Sequence, residues 1–159
     1  MTPDPDEYSK AIDGGCRWSC VDAFEDEFDA LAEEDVVVYE FLETVMEYAE
    51  QDGIDADQLK APEGVSSYFR SRHNRPWLGA LFADGKPDKR DRCLQYRLYF
   101  GEAPEDQPSL VASKLGSKPK PSPRRIWETM QNSHIKQAMD RLQAWCKKCD
   151  CSYRKLRGR

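Results

Sequence analysis

The sequence predicts an α+β domain, a mostly antiparallel sheet with a helical hairpin on one face and a C-terminal helix, in the order β-α-α-β-β-β-(β)-α. Three observations predict it. Apolar residues recur at helical spacing through residues 22–51 and again after Pro123. Over Cys93–Phe100 they alternate with polar ones at period two. Turn-forming residues separate these regions. A chain of 159 residues fits one domain with short tails, built as one layer of helices on one sheet.

Each element has its own local reason. Residues 1–14, with Pro3, Pro5, Gly14 and several acids, read as a disordered acidic tail, and the domain spans 15–146. Gly15–Val21 (GCRWSCV) reads as a short strand. Asp22 is placed as a helix N-cap with Glu25 three residues on, and Phe24, Phe28 and Leu31 form the helix's apolar stripe. A second helix is expected from Asp35 to Gln51, ended by Gly53, with Val38, Phe41, Leu42, Val45, Met46 and Ala49 buried. The acids Glu33, Glu34, Glu40, Glu43, Glu47 and Glu50 fall mostly on its other face, a solvated surface.

From Gly64 to Ser113 the period moves towards two. Val65–Arg70 and Trp77–Ala83 are strand candidates, Asp84–Asp88 (DGKPD) is turn chemistry, and Cys93–Phe100 is the clearest strand. Ser109–Ser113 fits a short neighbouring strand, and Lys114–Pro121 (KLGSKPKP) reads as a basic, proline-rich loop. Pro123 opens the last helix in the favoured manner, with Ile126, Trp127 and Met130 on one face. Asn132 or Ser133 is a candidate cap for a continuation carrying Ile135, Ala138, Met139, Leu142 and Trp145. Residues 147–159 form a basic tail. There is no internal repeat and no Gly-rich phosphate loop.

Charge is split between the two ends. Residues 1–60 carry −16, residues 112–159 carry +10, and the middle carries +1, so the formal −5 hides a basic C-terminal third suited to polyanions. The opposing reading is mutual neutralisation within one fold. The acidic, proline-containing start is unlike a signal peptide, and no apolar run is long enough to span a membrane; a cytoplasmic protein with no membrane partner is expected. A dependable zinc site needs two ligand pairs, and the cysteines offer only one compact group, Cys146, Cys149 and Cys151. With Cys16, Cys20 and Cys93 they read as reduced thiols, with neither a metal nor a small-molecule cofactor expected. With two histidines, the chain has no Ser/His/Asp triad pattern and no HExxH.

Four stretches together carry a resemblance: Trp18 followed by Phe24-x3-Phe28-x2-Leu31; Tyr39-Glu40-Phe41-Leu42; Gln95-Tyr96-Arg97-Leu98-Tyr99-Phe100; and Lys114–Lys120 followed by His134-Ile135-x2-Ala138-x2-Arg141-x3-Trp145. With the element order, they resemble the RelE/ParE/HigB superfamily of toxins from bacterial and phage toxin–antitoxin pairs, over roughly residues 15–146. The resemblance implies a RelE-like fold with Pro62–Asp91 enlarged. It also implies a ribosome-dependent mRNA endonuclease, or a gyrase-directed protein on the ParE branch, held by a cognate antitoxin. The family's terminal Tyr or His has no convincing match here.

That chemistry is attack of an RNA 2′-OH on the adjacent phosphate, helped by cations on the non-bridging oxygens. Arg97 is the first candidate, since it faces opposite to Tyr96 and Leu98 and should emerge on the open side of the sheet; pairing with an acid such as Glu102 is the competing reading. Lys114, Lys118 and Lys120 are placed to grip phosphates, and Lys114 and Lys118 join Arg97 as catalytic candidates. Arg124 and Arg125 lie in the first turn of the last helix, where anions are favoured. Arg72, His73 and Arg75 form a second basic group, in which His73 beside two arginines could serve as a base. Arg154 and Lys155 in the tail could bind phosphates without a fold. Three functions remain open: the toxin endonuclease, a non-enzymatic nucleic-acid-binding or regulatory protein (or degenerate toxin), and an interaction protein whose acidic hairpin binds a basic partner. The endonuclease requires the cations to gather in one accessible pocket.

Overall fold

The computed structural model describes Ser9, Ala11 and residues 15–63, 75–104 and 109–156. The strand expected over Val65–Arg70 lies outside the described residues. The elements are β1 (Arg17–Cys20), α1 (Asp22–Glu34), α2 (Val36–Asp52), β2 (Leu59–Glu63), β3 (Leu78–Asp84), β4 (Cys93–Glu102), β5 (Ser109–Lys120) and α3 (Arg124–Cys149). The strands form one sheet in the order β1-β5-β4-β3-β2, with β1 parallel to β5 and the other neighbours antiparallel. The α+β class and the C-terminal helix agree with the expectation from sequence. Among the described residues no helix is long and apolar enough to cross a membrane.

Successive strand residues point to opposite faces, and β4 shows what each face meets. Phe100 lies edge-on to Trp18 and Trp77, with ring centroids 5.4 and 5.8 Å away. The Trp18 indole donates to the Met46 carbonyl of α2 at 2.9 Å, which ties this face to the hairpin. Gly101, next along β4, lies directly against Leu142 of α3, and a Cβ on Gly116 of β5 would sit 2.5 Å from His134 Nδ1. Glycine at these two positions lets α3 lie close on the sheet. Helices therefore cover both faces, giving three layers where one helical layer was expected.

The helix ends follow local chemistry. Asp35 caps α2, its carboxylate accepting from the Val38 amide at 3.1 Å, and Gly53 closes it at φ 92°. The expected cap at Asp22 does not form. Val21 is the N-cap, in extended conformation and without a side-chain cap bond, because its amide still pairs with the Ala112 carbonyl at the end of β1. In α2 the buried stripe is Val38, Leu42 and Ala49; Phe41, expected inside, is 44% exposed. α3 is one continuous helix, so Asn132 and Ser133 are interior residues and cap nothing.

Two strands exceed the expectation. β2 (LKAPE) is too short, polar and proline-containing to show a period, yet it pairs with β3. β5 runs on through Lys114–Lys120, the stretch expected as a loop, because ten-residue β4 needs a partner for its backbone along its whole length. The register shifts between Tyr99 and Phe100, where Ser113 is the extra residue and donates to the Ala138 carbonyl at 2.6 Å. The described part of the basic tail, up to Leu156, folds back on the domain. Arg154 accepts from the Trp77 amide at 2.8 Å and donates to the Glu102 carbonyl at 2.7 Å, while Leu156 donates to the Arg75 carbonyl at 2.9 Å. This return seals fully buried Trp77.

Gly79 packs against two aromatic rings: a Cβ there would meet Phe100 Cζ at 2.6 Å and Trp77 Cη2 at 2.9 Å. Gly79→Ala is expected to lower unfolding free energy by about 1–3 kcal/mol, read from the urea midpoint, as overpacking a rigid core does.

Candidate nucleic-acid interface

Two groups of charges sit under α3, each assembled across the sheet. In the first, Arg97 points, as expected, away from Tyr96 and Leu98, but the face it reaches is covered. Its Nη1 donates to Glu63 Oε1 at 2.9 Å, with the two side chains 15% and 10% exposed. Arg97 is therefore not an open-face cation, and its partner is Glu63 of β2 rather than Glu102. Among the described residues its Nε is buried with no acceptor. Gln131 of α3 donates to the other Glu63 oxygen at 3.5 Å and accepts from Lys118 at 3.2 Å, and the Lys118 ammonium lies 4.3 Å from the Trp127 ring centroid. Burial pushes the Glu63 carboxyl above its usual range, outweighing the pull of Arg97. Burial and then the Arg97 charge hold Lys118 below its usual range.

The second group centres on Glu27 of α1. Past the end of β1 no strand among the described residues pairs with the outer edge of β5, and Glu27 accepts there from the Leu115 amide at 3.1 Å. The same carboxylate pairs with Lys114 and with Arg141 of α3, the latter at 2.6 Å. Lys114 is thus held inside the protein, away from any phosphate. Burial opposes ionisation of Glu27, but the bonds from Arg141, Lys114 and Leu115 prevail and lower its pKa. His134 lies against Gly116, its protonated form disfavoured first by burial and then by Lys114.

Of the cations singled out from the sequence, Lys120, Arg124 and Arg125 stay accessible where β5 ends and α3 begins; other exposed cations, such as Lys86, Arg90, Lys147 and Lys155, lie elsewhere on the surface. Lys120 is exposed and reaches Asp84 at 3.2 Å. Arg124 is 82% exposed, beside Glu128 at 2.7 Å, and Arg125 is exposed. Half-buried Trp127 and Lys118 complete the corner. The helix start itself is unusual. Pro123, its N-cap, makes no side-chain cap bond, and the first turn holds two arginines and no acid. Helix N-termini favour negative groups by a few tenths to about 1 kcal/mol each, so this turn has the wrong charge unless an anion joins it.

Of the second predicted basic group only Arg75 lies among the described residues. Arg75 is buried, with Nη1 donating to Asp140 at 3.1 Å and Gln143 at 2.5 Å, and its Nε and Nη2 find no acceptor among the described residues. Arg72 and His73 lie outside the described residues. Arg154 is engaged as well: its guanidinium lies 4.4 Å from the Trp77 ring centroid and 3.5 Å from Glu102. Lys155 is exposed. Among the described residues no group of three or more His, Cys, Asp or Glu could hold a metal. Burial is the first cause that pushes the Cys16 and Cys20 thiols up to about 11, so neither is an activated nucleophile.

Glu27, Glu63 and Gln131 were not singled out from the sequence, and Arg141 entered only as part of the resemblance, not as a site candidate. For Glu27 a signal exists: it occupies the i+3 position between Phe24 and Phe28, on the apolar stripe itself, where an acid needs a buried cation. No protein-family model, no curated protein and no solved structure matches this chain.

Because the pKa of Glu27 is lowered in the fold, its stabilisation is present above the ordinary value of 4.5 and is lost as pH falls through the folded value. Glu27→Gln is expected to cost on the order of 2 kcal/mol at neutral pH. It should also flatten the acid-side loss of stability relative to the parent chain, as read by urea titration at neutral and acidic pH.

Proposed function

We propose that this protein is a non-enzymatic nucleic-acid-binding protein of RelE-like architecture, which grips a sugar–phosphate chain at the corner between the end of β5 and the start of α3. The observation that carries the reading is the first turn of α3, with Arg124 and Arg125, no acid and no capping side chain, beside Lys118, Lys120 and Trp127. Phosphates satisfy the free helix amides and the arginines together, and the half-buried indole offers a surface on which a base can stack. The internal pairing of Arg97 with Glu63 and of Lys114 with Glu27 supports the non-enzymatic reading, because it engages charge that a cleaving site would use on the phosphate.

The expected result is binding of single-stranded RNA whose logarithmic affinity falls with logarithmic salt at a slope of about −2 to −3, as about four phosphate contacts require. Arg124→Ala with Arg125→Ala should reduce that slope by about 1.4. Bound RNA should stay intact, and inducing the chain alone should not arrest growth. Salt-insensitive binding, or a slope unchanged in the double variant, removes the corner as the site.

One observation favours the endonuclease as a second reading. Glu63 and Lys118, both beside Arg97, have pKa values displaced towards each other, the arrangement expected of an acid–base pair. Under that reading induction arrests growth and cuts message on ribosomes, and Lys118→Met abolishes both while the melting temperature holds. A cognate antitoxin belongs to this second reading.

A further inference from the structure

The α1–α2 hairpin carries a surface that neither reading uses. From Asp22 to Asp52 it holds thirteen acids and not one Lys, Arg or His. Among the described residues only Glu27 of these acids makes an ion pair. Like charges three and four residues apart, such as Glu40/Glu43 and Glu43/Glu47, oppose the helix that carries them. A solvated face accounts for acids, but it does not account for what lies among them. Val36, Val37, Phe41 and Tyr48 of α2 are 53%, 72%, 44% and 56% exposed, four of the six large apolar side chains exposed in the described structure. At about 100° per residue Val37, Phe41 and Tyr48 fall within one narrow stripe about three turns long, and exposed Glu40 and Glu47 run along its side. The opposite face of α2 already supplies the core through Val38, Leu42 and Ala49.

We propose that the outer face of α2 docks a basic amphipathic helix of a partner protein. The partner's apolar side chains would pack on Val37, Phe41 and Tyr48, and its Lys or Arg would meet Glu40 and Glu47. Charge selects this occupant. A nucleic acid or an anionic membrane is repelled by the hairpin. Among the described residues a second copy of this chain offers no such helix, because its basic helix α3 already buries its apolar side chains Ile135, Ala138, Met139 and Leu142. The inference does not rest on the corner at α3, which lies on a helix covering the other face of the sheet.

The test uses the full chain and a fluorescent peptide of leucine and lysine arranged as an amphipathic helix, with a scrambled peptide of the same composition as control. The patterned peptide is expected to bind, to weaken as salt rises, and to bind at least about tenfold more weakly to the Val37→Ser/Phe41→Ser/Tyr48→Ser variant. Glu40→Gln with Glu47→Gln should remove part of the salt dependence. Parallel RNA titrations should be unchanged by these substitutions, which separates this face from the corner, and thermal unfolding confirms that each variant is folded. Equal binding of the scrambled peptide, or undiminished binding to the folded triple variant, overturns the proposal. So does self-association of the parent chain, or adsorption to neutral vesicles, that the triple variant abolishes.

Discussion

Helices lie on both faces of this sheet, and that constraint governs the rest. A charged side chain pointing from a central strand meets packed protein rather than water, and burying it alone would cost several kcal/mol. It must find a counter-charge supplied by another element. Arg97 finds Glu63 from β2, and Lys114 finds Glu27 from α1 with Arg141 of α3 beside it. These contacts join elements distant in sequence and aim α3 across the strands. The same enclosure withdraws cations from ligands, which is why the functional reading moves to the corner where β5 ends and α3 begins.

The charge split along the chain is only partly cancelled by the fold. Glu27 with Lys114 and Arg141 joins the acidic hairpin to the basic third, but Asp140, which holds Arg75, belongs to the basic third itself. Most of the hairpin acids and the arginines opening α3 face solvent. Two surfaces of opposite sign result, one on the hairpin and one at the α3 corner. An overall charge of −5 describes neither of them.

How much was legible in the sequence depended on whether local and tertiary demands agreed. The three helices and the strand around Leu98 announced themselves because their apolar spacing largely matches their burial, while the strands around Trp18 and Leu81 were legible as short apolar runs. β2 stayed hidden, since five residues with Lys60, Pro62 and Glu63 show no alternation, and only the edge of β3 makes them a strand. The second half of β5 stayed hidden because Pro119 and three lysines read as loop. Beyond Ala112 no strand among the described residues flanks the outer side of β5, and a proline is tolerated at such an edge. The candidate site was legible as residue types and opaque as geometry. Arg97 was correctly placed on its face, but the carboxylate it meets comes from the strand with no signal. Phe41 shows the converse, an apolar residue whose spacing suits the core and whose position in α2 turns it outward.

The parallel pairing of β1 with β5 has a consequence for how the chain is made. During synthesis β1 and the hairpin leave the ribosome early, while the strand that receives them emerges only after β2, β3 and β4. Until then Phe24, Leu31 and Leu42 have no sheet to cover, and the hairpin's dense negative charge keeps such nascent chains apart by mutual repulsion. The acidity of that segment is thus present on the chain before the strand that completes its packing has been made.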